Sequence, residues 1–310
     1  MTHQGTVEII DVSARDGLQN ESQLFSTEEK LELIGHALDA GAKRLEVASF
    51  AHPKYVPQMA DAEAVIEGLP NRDDVEYIGL VMNARGLDRA LKTKLDEVGL
   101  VCVATDSFAM KNQNQTRDQS VEMAYELIKR AKSEGLNANV TIGASFGCPF
   151  EGEVSAEAVV KMAVRLAEAG PREISLADTI GVANPWQVKA LISALRAELP
   201  SIPLRGHFHN TRNTGLANAA AAVESGVGSL DVSIGGIGGC PFAPAATGNV
   251  PSEDLVYMLE RGGFDTGMNL DRLIQASQWL TKKMNKDLPG MLGRAGGFPK
   301  PDNKLDPAAA

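Results

Sequence analysis

Eight short apolar runs, each followed by a longer stretch with helical spacing, constrain this chain more than any other feature. They occupy residues 7–12, 44–50, 76–82, 97–103, 137–145, 173–178, 203–209 and 229–234, and each is dense in Val, Ile or Leu. Strands covered on both faces read as brief apolar runs of this kind. The stretches 27–40, 57–68, 84–94, 120–134, 155–169, 185–199, 213–225 and 252–261 carry helix signals; the first has Ser26 or Thr27 as N-cap and Gly41 as its stop. Eight strand–helix units joined by right-handed crossovers predict an α/β chain closed as a (β/α)8 TIM barrel. The structural alternative is an open doubly wound sheet. It usually places a Gly-rich phosphate loop after its first strand, and Ser13-Ala14-Arg15-Asp16-Gly17 is not one. Past the eighth unit, 269–286 predicts an extra C-terminal helix, and 289–310 is rich in Gly, Pro and Ala. The expected organisation is therefore one barrel domain over 1–288, including that helix, and an extended or partly mobile tail over 289–310.

Hydrophobic residues make up 44% of the 310, enough for a large core, which excludes disorder throughout. The formal net charge is −10 and no basic run occurs, so nucleic acid and anionic membranes are excluded as partners. An anionic ligand needs a local pocket of Arg, Lys, helix N-termini or metal. Cys102, Cys148 and Cys240 are too few, and odd in number, for a disulfide framework. Residues 1–5 are short and polar and carry no targeting signal, and no apolar run reaches the roughly 18 residues of a membrane span. A reducing cytoplasm is the expected location.

Barrel enzymes collect their chemistry at the C-terminal ends of the strands. Arg15 and Asp16 follow the first predicted strand, Glu46 lies in the second, Asn83 ends the third, Asp106 follows the fourth and Asp178 ends the sixth. His207 and His209 end the seventh, and the loop after the eighth reads Gly235-Gly236-Ile237-Gly238-Gly239-Cys240-Pro241-Phe242. Residues two apart on a strand share a face, so His207 and His209 point together into the barrel mouth while Phe208 points outward. Two imidazoles with a carboxylate such as Asp16 make a facial metal-ligand set with open positions. The bland reading is a pair of hydrogen-bonded core histidines. Only five histidines occur in the chain, and two of them at i, i+2 on one strand end favour metal.

The other residues carry paired readings. Arg15 beside Asp16 is a surface ion pair or a cation that stabilises developing negative charge. Glu46 is a buried carboxylate in need of a partner, and Arg15 is the nearest in barrel order. Asp178 is a candidate orienter of a metal ligand. Cys240 is a proton carrier or a small residue in a tight turn. Cys102 reads as plain core, and Cys148 as pocket lining or a structural turn.

Five segments resemble a known family. They are Asp11-Val12-Ser13-Ala14-Arg15-Asp16-Gly17-Leu18-Gln19-Asn20-Glu21, Val56-Pro57-Gln58-Met59, Gly147-Cys148-Pro149-Phe150-Glu151-Gly152, Ser175-Leu176-Ala177-Asp178-Thr179-Ile180-Gly181, and the Gly235–Phe242 loop with Thr247-Gly248-Asn249. Together they resemble 3-hydroxy-3-methylglutaryl-CoA lyases, metal-dependent TIM-barrel enzymes related to isopropylmalate synthase. Lys111-Asn112 resembles a family segment more weakly. The resemblance implies cleavage of the substrate into acetyl-CoA and acetoacetate with Mg2+ or Mn2+. It implies Asp16, His207, His209 and the side-chain oxygen of Asn249 as ligands, and Arg15 as the stabiliser of the acetyl-CoA enolate. It further implies Cys240 as the thiol that handles the proton, Glu46 as support for Arg15, and Asp178 as an active-site carboxylate. Gln19, Lys111, Asn112 and Arg212 are the candidate substrate contacts. An acyl-CoA substrate and further copies of the chain, in a homodimer or higher homo-oligomer, are the expected partners.

One segment departs from the family pattern. After His209 the lyases continue Asp-Thr-Tyr-Gly, whereas this chain reads Asn210-Thr211-Arg212-Asn213. The synthases of the sister branch carry His-x-His-Asn there, but they lack the Gly-Gly-Cys-Pro-Phe loop and have further domains. Arg212 adds a cation and removes a phenol, which keeps citramalyl-CoA or a longer 3-hydroxy-3-alkylglutaryl-CoA open as the substrate. A non-catalytic metal-binding barrel is the reading from another class. The combination of Cys240, Arg15 and both histidines argues against it.

Overall fold

The structure, a computed structural model of the chain, describes residues 4–239 and 248–299. Its centre is a closed barrel of eight parallel strands: β1 Glu8–Asp11, β2 Arg44–Ser49, β3 Glu76–Val81, β4 Glu97–Val103, β5 Asn137–Gly143, β6 Ile174–Asp178, β7 Leu204–Phe208 and β8 Ser229–Val232. Neighbours in sequence are neighbours in space, and β8 closes against β1 with Ser229 opposite Glu8 and Val232 opposite Asp11. Each predicted apolar run contains its strand, so the expected TIM barrel is the observed fold.

The helices follow the strands in turn: α1 Thr27–Asp39, α2 Ala62–Gly68, α3 Ala84–Ala90, α4 Asp106–Gln113, α5 Arg117–Ser133, α6 Ala156–Ala167, α7 Pro185–Glu198, α8 Gly215–Glu224 and, after β8, α9 Ser252–Arg261. Local chemistry fixes their starts. Ser26 and Glu29 form a reciprocal capping box on α1, and Asn184, Pro185 and Gln187 begin α7 in the same way. Buried Val, Leu and Ile from strands and helices, among them Leu45, Val98, Leu33 and Leu191, join in one continuous core.

The lower barrel is filled with charge. Arg44, which begins β2, lies 2.5 Å from Glu97 and 2.7 Å from Glu173. Paired groups of this kind avoid the several kcal/mol that an isolated buried charge costs.

Four features depart from the sequence expectation. The connection after β4 holds two helices, because Asn114 adopts a left-handed φ of 55° and Thr116 with Gln119 caps a fresh helix. Segment 57–68 splits into a 3-10 turn, Pro57–Met59, and α2. Helix α8 starts at Gly215, since Asn213 is left-handed (φ 58°) and the Asn210 side chain accepts from the Gly215 amide at 3.0 Å. Arg212 therefore lies in a loop, not at a helix start. Finally, α10 Leu270–Met284 is followed by a short helix, α11 Leu292–Ala295, so 289–299 is not simply extended. The amides of Met291 and Leu292 donate to the Asp254 carboxylate and anchor this segment against α9.

Candidate active site

The chain leaves β1 through a π turn, Ser13–Gly17, in which the Gly17 amide donates to the Val12 carbonyl at 3.0 Å. Such turns redirect side chains and are frequent at functional sites. Asp11 anchors this one by accepting from the amide and the hydroxyl of Ser13, at 3.0 and 2.8 Å. Gly17 lets the turn pass close to Ile237, whose side chain would have to shift for a Cβ placed 2.8 Å away. The turn carries Arg15 and Asp16 into the barrel mouth. Arg15 donates through Nε to Glu46, the pairing expected from barrel order, and through Nη1 to Asp16 Oδ1 at 2.6 Å.

His207 and His209 come up from β7 with their Nε2 atoms 3.2 Å apart. Asp16 Oδ2 stands 3.9 Å from the first and 3.8 Å from the second. The amide nitrogen of Asn249 donates to the same Asp16 oxygen at 2.8 Å and to the Ile237 carbonyl at 3.1 Å. With both of those partners being acceptors, the amide orientation is fixed. The Asn249 oxygen is then buried with no hydrogen-bond partner among the described residues, as is Nδ1 of His209.

Burial opposes ionisation of Asp16, but Arg15, His207, His209 and Asn249 outweigh it and hold the carboxyl well below the usual range. His209 is pushed down to about 4 by burial and by His207. An ionised carboxylate beside an imidazole that resists protonation is a donor set for a divalent ion. Cis ligands about 2.1 Å from such an ion are themselves about 3 Å apart. The two imidazole nitrogens match that separation at 3.2 Å, Asp16 Oδ2 stands wider at 3.8 and 3.9 Å, and the unpartnered oxygen of Asn249 supplies a fourth candidate.

Arg15, Asp16, Glu46, His207 and His209 border a cavity of about 170 Å³ that also meets Gln19, Asn112 and Thr179. Its other wall is apolar, with Leu80, Met82, Val101 and Phe108. A neighbouring cleft of about 620 Å³ shares Gln19, Leu80, Met82 and Asn112 with it and adds Lys111. Lys111 Nζ lies 4.5 Å from the centre of the Phe150 ring.

Arg15, Asp16, Gln19, Glu46, Asn112, His207 and His209 thus converge on one cavity, with Asn249 hydrogen-bonded to Asp16 at its edge and Lys111 in the adjoining cleft. Cys240 lies outside the described residues. Four further strand-end and loop residues hold local backbone. The Asp178 carboxylate accepts from the amides of Val182 and Ala183, at 2.9 and 3.0 Å, and ties down the loop after β6. Burial raises its pKa. Arg212 does not line the cavity, and its guanidinium donates to the carbonyls of Ile180 and Gly181 at 2.9 Å each. Asn83 and Asp106 are local anchors that accept from the amides of Gly86 and Arg117. Cys102 is core, its thiol pushed up to about 12 by burial.

The residue that sequence reasoning missed is Asp231, whose Oδ2 meets Nδ1 of His207 at 2.9 Å. A signal was available. The i, i+2 spacing that singled out His207 and His209 extends back to Arg205, and β8 carries Ser229 and Asp231 at the same spacing.

Residues 6–280 match the HMGL-like family. The chain is 42% identical to the (R)-citramalyl-CoA lyase of Chloroflexus aurantiacus, covering 94% of this chain and 95% of that protein. It is 39% identical to a hydroxymethylglutaryl-CoA lyase of Bacillus subtilis, covering 93% of this chain and 97% of that one. An HMG-CoA lyase from Acinetobacter baumannii, solved in complex with coenzyme A and 3-methylmalate, superposes with a TM-score of 0.89 at 38% identity, covering 96% of this chain and 98% of that one. The resemblance carried by the five motifs is thereby confirmed, and the chain belongs to the HMGL-like family, among its hydroxymethylglutaryl-CoA lyase-like carbon–carbon lyases.

Proposed function

We propose that this protein is a divalent-metal-dependent lyase that cleaves 3-hydroxy-3-methylglutaryl-CoA to acetyl-CoA and acetoacetate, with Mg2+ or Mn2+ held by Asp16, His207, His209 and the side-chain oxygen of Asn249. The observation that carries the reading is the convergence of Asp16, His207 and His209 beside the guanidinium of Arg15, within one cavity. Asp16, His207, His209 and Asn249 would hold the ion, which would supply Lewis-acid polarisation of substrate oxygens.

The protein's own groups account for the rest. Glu46 and Asp16 fix the Arg15 guanidinium by two of its five N–H groups and leave the others for substrate. As a general base takes the hydroxyl proton and the hydroxyl becomes a carbonyl, the carbon–carbon bond breaks and its electron pair moves to the thioester as an enolate. Arg15 is the cation for that enolate oxygen. One proton delivered to carbon then completes acetyl-CoA, and the family motif assigns this delivery to Cys240. Gln19 and Asn112 stand between the reacting cavity and the cleft of about 620 Å³, which has room for a thioester arm. Lys111 in that cleft offers a charge to CoA phosphate.

A second reading has its own support. The 42% identity to a citramalyl-CoA lyase favours a substrate one methylene shorter, which would yield acetyl-CoA and pyruvate. Acetyl-CoA release from the two thioesters by the purified protein with Mn2+ separates the readings. Higher kcat/KM on hydroxymethylglutaryl-CoA supports the first and higher kcat/KM on citramalyl-CoA the second. No cleavage of either, nor of longer 3-hydroxy-3-alkylglutaryl thioesters, rejects the lyase assignment.

A further inference from the structure

Asp231 lies at the third position of β8, buried beneath the site, and its two carboxylate oxygens have different partners. Oδ1 accepts from Nε of Arg205 at 2.5 Å, and Oδ2 meets Nδ1 of His207 at 2.9 Å. Arg205 precedes His207 by two positions on β7 and so shares its inward face; it is only 1% exposed. Its Nη2 also stands 3.9 Å from Glu46 Oε2, so the same guanidinium adjoins the carboxylate that holds Arg15.

The chemistry of these partners leaves little choice. A guanidinium only donates, so Oδ1 is committed as an acceptor. An ionised carboxylate only accepts, so Oδ2 requires a proton on Nδ1 of His207. That makes His207 the Nδ1–H tautomer, with the lone pair on Nε2, the atom that faces His209 Nε2 at 3.2 Å. Without Asp231 nothing in this contact would prefer that tautomer.

We propose that Asp231, locked by Arg205, is a positioning residue that sets the tautomer of His207 and so makes Nε2 a metal ligand. The inference rests on the metal reading of Asp16, His207 and His209. It adds a residue and a physical role, because Arg205 steadies both the carboxylate behind the ligand and the carboxylate behind the proposed enolate-binding cation.

Asp231→Asn is the discriminating variant. Its side chain has the same shape but only one acceptor, and Arg205 claims it. The amide NH2 then faces Nδ1, which must become the acceptor, and the ring proton moves to Nε2. The ligand lone pair is lost with little change in packing.

Two readouts test this without relying on turnover. The first is Mn2+ affinity, by electron paramagnetic resonance or calorimetry, for the wild type, Asp231→Asn and His207→Ala. The expected result is binding by the wild type and an affinity about 10- to 100-fold weaker in Asp231→Asn, the usual scale for losing a carboxylate behind a metal-bound histidine. The second is the 15N spectrum of the metal-free wild type, with His207 assigned by the signals absent from His207→Gln. It should show Nδ1 protonated and Nε2 bare, and it decides the matter even if Asp231→Asn fails to fold. Unchanged Mn2+ affinity in a folded Asp231→Asn, or Nε2 protonated in the wild type, overturns the inference while leaving the metal reading intact. A wild type that binds Mn2+ no better than His207→Ala overturns both.

Discussion

Nε2 of His207 and Nε2 of His209 stand 3.2 Å apart, each just under 4 Å from one oxygen of Asp16. Two ring nitrogens at that distance either share a single proton or offer two lone pairs to a third atom. Asp231 on the far side of His207 favours the second arrangement, and the barrel holds His207 on β7 and His209 just past its end. Replacing either histidine by alanine should therefore abolish most Mn2+ binding and most turnover while the far-ultraviolet circular dichroism stays native. Full metal occupancy in both variants would sink the ligand assignment.

Arg15 differs, because its role depends on geometry as well as charge. Lysine keeps the charge but cannot engage Glu46 and Asp16 together while presenting a planar fork to substrate. Arg15→Lys should lose at least about a hundredfold in kcat, the usual scale for removing an oxyanion partner. KM and thermal stability should change little. A fall in stability that matches the fall in activity would make Arg15 a structural partner of Glu46 only.

Much of this was legible in the sequence, for physical reasons. Strand ends in a closed parallel barrel must converge, so Arg15, Asp16, Glu46 and the paired histidines could be gathered before any coordinates. At Asn83, Asp106 and Asp178 the polar residue at the strand end also anchors local backbone, a use that spacing does not distinguish from chemistry. Asp231 was hidden because β8 reads as an apolar run, although its inward positions are polar. Helix α8 was expected from residue 213, two residues too early, which the left-handed turn at Asn213 accounts for.

Arg212 acts, in this structure, through the backbone it holds. Its guanidinium ties the carbonyls of Ile180 and Gly181, next to Thr179 on the cavity wall. Tyrosine cannot make both contacts, so Arg212→Tyr should loosen this loop and change the ratio of kcat/KM for hydroxymethylglutaryl-CoA over citramalyl-CoA, with a shift toward the former. Specificity constants of both proteins on both thioesters provide the check. An unchanged ratio would confine Arg212 to a structural tie.

Glu253 on α9 should govern part of the stability profile. It is buried, it accepts from the Gly235 amide at 3.1 Å, and burial pushes its pKa up to about 7 from 4.5. The folded state thus keeps a proton that the unfolded chain releases at lower pH. Its contribution is fully present below pH 4.5 and is lost as pH rises through about 7. The loss amounts to about 3 kcal/mol, with each pKa unit worth about 1.4 kcal/mol. Glutamine keeps a carbonyl for Gly235 and carries no charge, so Glu253→Gln should be the more stable protein at pH 8 and should flatten the profile between 4.5 and 7. Denaturant unfolding across that range would contradict this if both proteins showed the same slope.

Acetyl-CoA formation by chelator-stripped protein, titrated with Mn2+, tests the central claim most directly. Cleavage of hydroxymethylglutaryl-CoA or citramalyl-CoA should be absent without metal, rise with added Mn2+, and saturate at one ion per chain, with His209→Ala silent throughout. Full turnover by stripped protein, or Mn2+-dependent turnover undiminished in His209→Ala, would contradict the account.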